Sequence, residues 1–157
     1  MFKTIDEAVA TVTDLARLVE GVNDRDVLIA PTFVALRSVA TAARGSNVLV
    51  ASQDCAPHPG QGAFTGEVSA EMVADAGATH VIVGHSERRQ YFHESDASVN
   101  MKVKAALGAG LTPIVCVGER LSDRDAGLAE GVADTQIRGA FEGLTAEEVV
   151  RTIVAYE

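Results

Sequence analysis

The sequence is poor in the features that mark membrane proteins and nucleic-acid-binding proteins. It has no apolar run near the ~18 residues that a membrane-spanning helix needs, and its N-terminus lacks the basic and apolar regions of a signal peptide. There are 13 basic against 22 acidic residues, giving a net charge of −9, and there is no basic tract or aromatic-rich basic face. We therefore predict a soluble, cytoplasmic protein that binds neither a membrane nor nucleic acid.

Cysteine and metal-binding patterns are also scarce. The two cysteines, Cys55 and Cys116, have no CxxC spacing, and such residues in a cytosolic chain are more often packed thiols than a disulfide. The histidines, at positions 58, 80, 85 and 93, show no HExxH or Cys/His spacing. We therefore predict packed thiols and no metal site.

What the sequence does contain is a regular alternation of strand and helix patterns. Short runs rich in Val, Ile and Leu predict buried parallel strands at 26–31, 47–52, 80–84, 112–118 and 152–157. Helical patterns lie at 4–20, 34–44, 69–76, 97–109, 123–142 and 146–151. This alternation predicts an α/β fold with five parallel strands and intervening helices. Because no linker interrupts it, we predict a single domain over residues 1–157. The Gly- and Pro-rich segment 54–68 is predicted to be a long functional loop.

The stretch "VIVGHSERR" (81–89) carries polar groups at the end of a predicted strand. In parallel α/β folds, ligands bind beyond the carboxyl ends of the strands. We predict that Ser86 is the N-cap of a helical turn. A histidine at a helix N-terminus lies in a positive potential, so His85 is predicted to stay neutral and to donate a hydrogen bond toward developing negative charge.

Other residues near this stretch have structural interpretations. A lone histidine at a strand end is more often structural or solvated than functional. Arg88 and Arg89 are interpreted as an ion-pair network with Glu87 and Glu119. Lys102 and Lys104 are predicted to lie on a solvated helix face and to give little information about function.

Glu157 follows the fifth predicted strand. A carboxylate there that faces the neutral imidazole of His85 would form a base–electrophile pair, suited to moving a proton next to a carbonyl group. From spacing alone, the alternative interpretation is that the two are unrelated surface residues.

Four segments together resemble the triosephosphate isomerase family: "VIVGHSERR", "GAFTGEVSAEM", "TPIVCVGERL" and the terminal "IVAYE". Their order and spacing agree with the family along all 157 residues. The resemblance implies a (β/α)₈ barrel, typically homodimeric and free of cofactors. It also implies interconversion of dihydroxyacetone phosphate and glyceraldehyde 3-phosphate in glycolysis and gluconeogenesis. A complete barrel has eight strands and about 250 residues, so five strands predict an incomplete (β/α)₈ TIM barrel.

The resemblance also implies roles for individual residues. His85 matches the neutral electrophile that polarises the substrate carbonyl, and Glu157 matches the base that moves the proton through an enediol(ate). Ser86, Glu87 and Cys116 match residues that support the active site; the glutamate of this set partners an active-site lysine in the family, and the cysteine packs beside the catalytic glutamate.

The loop that contains Thr65 resembles the segment that inserts into the neighbouring subunit of the family dimer. Three family features have no match in the sequence: the Asn-x-Lys of the first strand, the lid loop and the glycine-rich phosphate-binding turns. Lys3 matches the segment that follows the first strand of the family, at the start of the first helix of this chain, and is not that lysine. We therefore expect residues 1–157 alone to be a marginally stable fragment, inactive or nearly so. The alternative is a non-catalytic barrel fragment that associates with a partner chain.

Overall fold

The computed structural model describes residues 2–157 and contains one sheet of five parallel strands, ordered as they follow one another in the chain. The strands are β1 (Val27–Ile29), β2 (Val48–Ser52), β3 (His80–Val83), β4 (Thr112–Val117) and β5 (Ile153–Tyr156). All five predicted strands are thereby confirmed, with shorter bounds. Because every pairing is parallel, the carboxyl ends of the strands lie at one edge of the sheet.

One helix precedes β1, the others lie between successive strands, and several begin at a residue whose side chain caps the helix. They are α1 (Ile5–Leu18), α2 (Phe33–Ala42), α3 (Ala70–Asp75), α4 (Ser86–Tyr91), α5 (Asp96–Gly108), α6 (Leu121–Asp125), α7 (Ala129–Ala140) and α8 (Ala146–Val149). At the start of α1, the side chains of Thr4 and Glu7 form a capping box, with the Thr4 N–H donating to Glu7 Oε2 at 2.7 Å.

The single helix predicted at 123–142 is wrong, because the structure divides this region into α6 and α7. Gly127, with φ of 72°, lies between them in the left-handed region that glycine adopts most easily. The Leu128 N–H then donates to the Asp123 carbonyl at 2.8 Å. The glycine therefore ends α6 and starts a new helix.

The core lies between the strands and the helices that cover them. Fully buried valines come from both layers: Val39 of α2, Val81 and Val83 of β3, Val99 and Val103 of α5, and Val115 of β4. Burying one such side chain stabilises the fold by about 1.5–3 kcal/mol. Within residues 2–157, every helix is too short or too polar to cross a membrane.

The predicted long loop joins β2 to α3, and its ends are held together by a hydrogen bond of 2.8 Å from the Ala56 N–H to the Val68 carbonyl. The side chains between these ends, including that of Thr65, are mostly exposed. The rings of His58 and Phe64 stack within the loop, with centroids 4.3 Å apart. The loop therefore projects from the sheet as a preformed surface segment.

Candidate active site

His85 occupies the turn between β3 and α4. Gly84 precedes it with φ of 69°, and a Cβ on this glycine would lie 3.0 Å from the side chain of Val99, so glycine suits both the conformation and the space. His85 itself is the N-cap of α4, since its Nδ1 accepts a hydrogen bond of 3.3 Å from the Glu87 N–H. The prediction that Ser86 is the N-cap is wrong.

This contact determines the tautomer of the His85 ring. A nitrogen that accepts a hydrogen bond carries no proton, so in the neutral ring the proton lies on Nε2. Nε2 faces Glu157, with 3.6 Å between His85 Nε2 and Glu157 Oε1. The ring is therefore oriented to donate on the side of the carboxylate.

Glu157 is held against the start of α4 by Ser86. The Ser86 hydroxyl donates to Glu157 Oε1 at 2.6 Å, and the Ser86 N–H donates to Oε2 at 3.3 Å. The hydrogen bond from the Ser86 hydroxyl is the largest influence on the pKa of Glu157 and lowers it; partial burial acts in the opposite direction, and the Ser86 N–H lowers the pKa further, so the net shift is downward. The side chains of His85 and Glu157 remain 36% and 42% exposed. Both groups are therefore accessible, and the carboxylate is the favoured form at neutral pH.

Cys116 lies on β4, which pairs with β5 in the register that sets Cys116 opposite Ala155. Burial, and then the negative charge of Glu157, raise the pKa of the Cys116 thiol to about 11. Burial raises that of Cys55 to about 12. Both thiols are free and buried, which confirms the prediction of packed thiols.

The predicted ion-pair partners of Arg88 and Arg89 are wrong. Arg89 donates to the Gly84 carbonyl at 2.8 Å, to Asp96 at 2.6 Å and to the Cys116 carbonyl at 3.4 Å. It thus ties the end of β3 to the start of α5 and to β4. Glu87 instead lies beside the imidazole, with 3.7 Å between its Oε2 and His85 Nδ1.

Arg88 belongs to a buried charge cluster that the sequence interpretation missed. Its Nε contacts Glu94 at 2.6 Å and Asp54 at 2.9 Å. Lys102, predicted to be solvated, is 4% exposed and pairs with the same two carboxylates, at 2.6 Å from Asp54. Its partners lie outside the helix that carries Lys102, in the segments after β2 and before α5, so the helical pattern around Lys102 gave no signal of burial.

Glu119 also has partners other than those predicted. It accepts hydrogen bonds from Arg124 at 2.6 Å and from the Tyr156 hydroxyl at 2.8 Å. Because Tyr156 immediately precedes Glu157, this contact fixes the end of β5 to the segment after β4.

The structure thus brings together five predicted site residues: His85, Ser86, Glu87, Cys116 and Glu157. Thr65 lies in the separate, exposed loop between β2 and α3. A cavity of about 370 Å³ borders Ser86, Cys116 and Glu157 and is also lined by Gln136. Gln136 was not singled out from the sequence, and a glutamine inside a helix gives no local signal of function.

Comparisons with known proteins place the chain in a family. The sequence profile described as triosephosphate isomerase matches residues 1–157. The chain is 48% identical to triosephosphate isomerase of Trichlorobacter lovleyi and 50% identical to that of Citrifermentans bemidjiense, over 100% of this chain and 62% of each relative. The chain therefore spans less than two thirds of the length of these curated relatives.

A solved structure gives the same result for the fold. The crystal structure of triosephosphate isomerase from Bartonella henselae superposes with a TM-score of 0.86 and 34% sequence identity, covering 99% of this chain and 64% of that chain. This confirms the predicted fold class: the five parallel strands with their intervening helices are part of a (β/α)₈ barrel.

Proposed function

The chain belongs to the triosephosphate isomerase family, and from this premise we propose that His85 and Glu157 perform the proton transfers of the isomerisation. The substrates are dihydroxyacetone phosphate and glyceraldehyde 3-phosphate, and the whole protein acts as an aldose–ketose isomerase of glycolysis and gluconeogenesis. The observation that carries the proposal is the separation of 3.6 Å between His85 Nε2 and Glu157 Oε1, at the carboxyl ends of β3 and β5, the two parallel strands that flank β4.

The chemistry follows from the two groups. The Glu157 carboxylate removes a proton from the carbon next to the substrate carbonyl, and the electrons of the broken C–H bond move into an enediolate. The His85 Nε2–H donates to the carbonyl oxygen as its negative charge grows. The hydroxyl proton of the enediolate moves to the former carbonyl oxygen by way of His85 Nε2, and Glu157 returns its proton to the neighbouring carbon, which gives the isomer.

The arrangement also requires a movement of Glu157. A separation of 3.6 Å leaves no room for a carbon chain between the imidazole and the carboxylate. Since both carboxylate oxygens are bonded to Ser86, substrate binding must exchange these bonds for contacts with the substrate. In the absence of substrate, Ser86 therefore hydrogen-bonds to the Glu157 carboxylate and stabilises its ionised form.

The supporting residues fit this role. Glu87 positions the imidazole through its N–H, which bonds to Nδ1 and leaves the proton on Nε2. Cys116 places a protonated, uncharged thiol beside Glu157, because burial holds its pKa near 11. No second charge therefore competes with the carboxylate from that side.

A coupled isomerisation assay on the full-length protein tests the proposal. We expect His85→Gln and Glu157→Gln to lower kcat by roughly 10²- to 10⁴-fold, the usual contribution of a general acid or base. His93→Asn is the matched control, because His93 is exposed and its φ of 57° suits asparagine. An absence of isomerase activity in the unmutated protein, or equal losses in all three variants, would refute the assignment.

The Thr65 loop supports a homodimer as part of the same proposal. Its exposed, preformed conformation leaves its side chains free to enter a neighbouring subunit. We expect Thr65→Arg to shift the full-length protein from dimer to monomer in sedimentation velocity, whereas an unchanged dimer would contradict the role of this loop. A cytoplasmic location remains part of the proposal and is testable by cell fractionation.

A second candidate function is a non-catalytic chain that associates with a partner. It is favoured by Ile153 and Val154 of β5, which are both 45% exposed although they lie in a strand. Sedimentation and activity of residues 1–157 separate the two candidates. A discrete, inactive oligomer favours association, and turnover near that of a full-length relative would contradict our expectation that this segment alone is inactive or nearly so.

A further inference from the structure

One glutamine binds both backbone groups of a single residue beside the candidate active site. The Gly118 N–H donates to Gln136 Oε1 at 2.8 Å, and Gln136 Nε2 donates to the Gly118 carbonyl at 3.0 Å. Gln136 lies on α7, whereas Gly118 directly follows β4. Two bonds from one planar amide fix the orientation of the peptide groups on both sides of the glycine.

Gly118 in turn lies against the main chain of Glu157. A Cβ at position 118 would overlap the carbonyl oxygen of Glu157 and lie 3.2 Å from its carbonyl carbon and 3.4 Å from its nitrogen. The Glu157 N–H donates to the Val117 carbonyl at 2.9 Å, which continues the β4–β5 ladder. The place of the Gly118 backbone therefore decides where the main chain of Glu157 can lie.

A glycine at this point supplies close approach but no rigidity, because it has more backbone freedom than any other residue. The restraint must come from a neighbour, and the Gln136 amide provides it. Both of its hydrogen-bonding atoms are occupied by Gly118, although the side chain borders the same cavity as Glu157. Gln136 therefore acts on Glu157 through the backbone.

We propose that Gln136 is a positioning residue that holds Glu157 in register with His85 and Ser86 by clamping Gly118. This inference rests on the proposed function only for the role of Glu157 as the base. The competing interpretation is that Gln136 merely attaches α7 to the sheet, in which case its loss lowers stability without changing the environment of the Glu157 carboxylate.

The test replaces Gln136 by leucine, which has a similar shape and neither hydrogen-bonding group. Two quantities are measured on the full-length protein: the pKa of Glu157 by ¹³C NMR titration of its carboxyl carbon, and the kinetic constants kcat and KM. We expect the pKa to rise as the contacts with Ser86 loosen, kcat to fall by roughly 10- to 100-fold, and KM to change by less than about threefold.

Thr135→Val is the matched control on the same helix. It removes the hydrogen bond of 2.8 Å from the Thr135 hydroxyl to the Gly131 carbonyl and leaves the Gly118 contacts in place. We expect it to leave both the carboxyl pKa and kcat unchanged. An equal effect of the two variants would show that any disturbance of α7 suffices and would overturn the proposal.

Gln136→Glu provides a second variant if the leucine variant does not fold. It keeps an acceptor for the Gly118 N–H but loses the donor to the Gly118 carbonyl and adds a negative charge beside the cavity that Glu157 lines, so for this variant the position of Glu157 is read from kcat, which we expect to fall, and not from the carboxyl pKa. A folded variant with the unmutated pKa and kcat overturns the positioning role. If the unmutated protein has no isomerase activity, the proposed function fails, but the NMR titration still decides whether Gln136 positions Glu157.

Discussion

Replacing Lys102 by methionine is the sharpest test of the buried charge cluster formed by Asp54, Arg88, Glu94 and Lys102. Methionine keeps the length and apolar stem of the side chain and removes only the ammonium group. The side chains of Lys102, Asp54 and Glu94 are 5%, 9% and 7% exposed, so water cannot replace the lost partner. The substitution leaves two buried carboxylates with Arg88 as their remaining cation.

The magnitude follows from the burial of these groups. Removing one partner of a buried ion pair costs about 3–5 kcal/mol. For a chain of this size, each kcal/mol lowers Tm by roughly 2–4 °C, so the expected decrease is about 6–20 °C. Lys104→Met is the control, because Lys104 lies two residues further along α5 and is exposed; it should change stability by about 0.5 kcal/mol or less.

The pH dependence of folding stability gives an independent check, because it shows whether each buried carboxylate stabilises or destabilises the fold. Burial raises the pKa of Asp54 despite Lys102. Burial also acts on Glu94, but hydrogen bonds from Lys102 and Arg88 outweigh it and lower the pKa. Glu94 therefore adds stability above its unfolded pKa that is lost as pH falls through the folded value, whereas Asp54 carries a penalty above its folded pKa that vanishes at low pH.

Without Lys102, both carboxyl pKa values rise, and the ionised forms are penalised at neutral pH. The destabilisation should be largest at pH 7 and should shrink as pH falls toward the ordinary carboxyl range of about 4. Urea unfolding of the full-length protein, followed by circular dichroism at several pH values, measures both effects. A methionine variant as stable as the Lys104 control, or a loss independent of pH, would refute the reasoning.

Three further predictions follow from local contacts. Ser86→Ala removes the largest cause that lowers the pKa of Glu157, so the acidic limb of kcat/KM should move to higher pH in a pH–rate profile. Cys55 and Cys116, with pKa values raised to about 12 and about 11, should resist a thiol reagent at pH 8 and react only after unfolding; rapid labelling of the folded protein would contradict their burial. Thr4→Ala should lower stability by about 1 kcal/mol through loss of the N-cap of α1, as measured by thermal unfolding, and no loss would show that the cap is dispensable.

The turn that carries His85 could be predicted because its signals are local. A run of β-branched residues, a glycine and a short polar segment follow one another within nine positions of the sequence, 81–89. The partners of Arg88 and Arg89 escaped prediction, and so did the identity of the cap: an imidazole Nδ1 accepts from the Glu87 N–H as a serine hydroxyl would, which leaves the Ser86 hydroxyl free for Glu157.

The environment of Lys102 could not be predicted from local sequence, because its partners are distant. Asp54 lies 48 positions away, in the segment after β2, and Glu94 lies 8 positions away, in the segment between α4 and α5. Moreover, α5 packs against both β4 and α7, so its buried residues do not fall on one face. The contact of Gln136 could not be predicted from local sequence either, because its partner Gly118 lies 18 positions earlier.

The geometry of the candidate site depends on strand register more than on any single contact. Glu157 lies 71 positions from Ser86 and reaches it only because β4 pairs with both β3 and β5. A slip of one residue between β4 and β5 would move the strand by about 3.3 Å and turn the Glu157 side chain to the other face of the sheet. Val117 pairs with Tyr156 at the last position of this ladder, and Gly118 with its Gln136 clamp comes immediately after it. The restraint on Gly118 therefore lies where an error in register would separate the Glu157 carboxylate from the imidazole of His85.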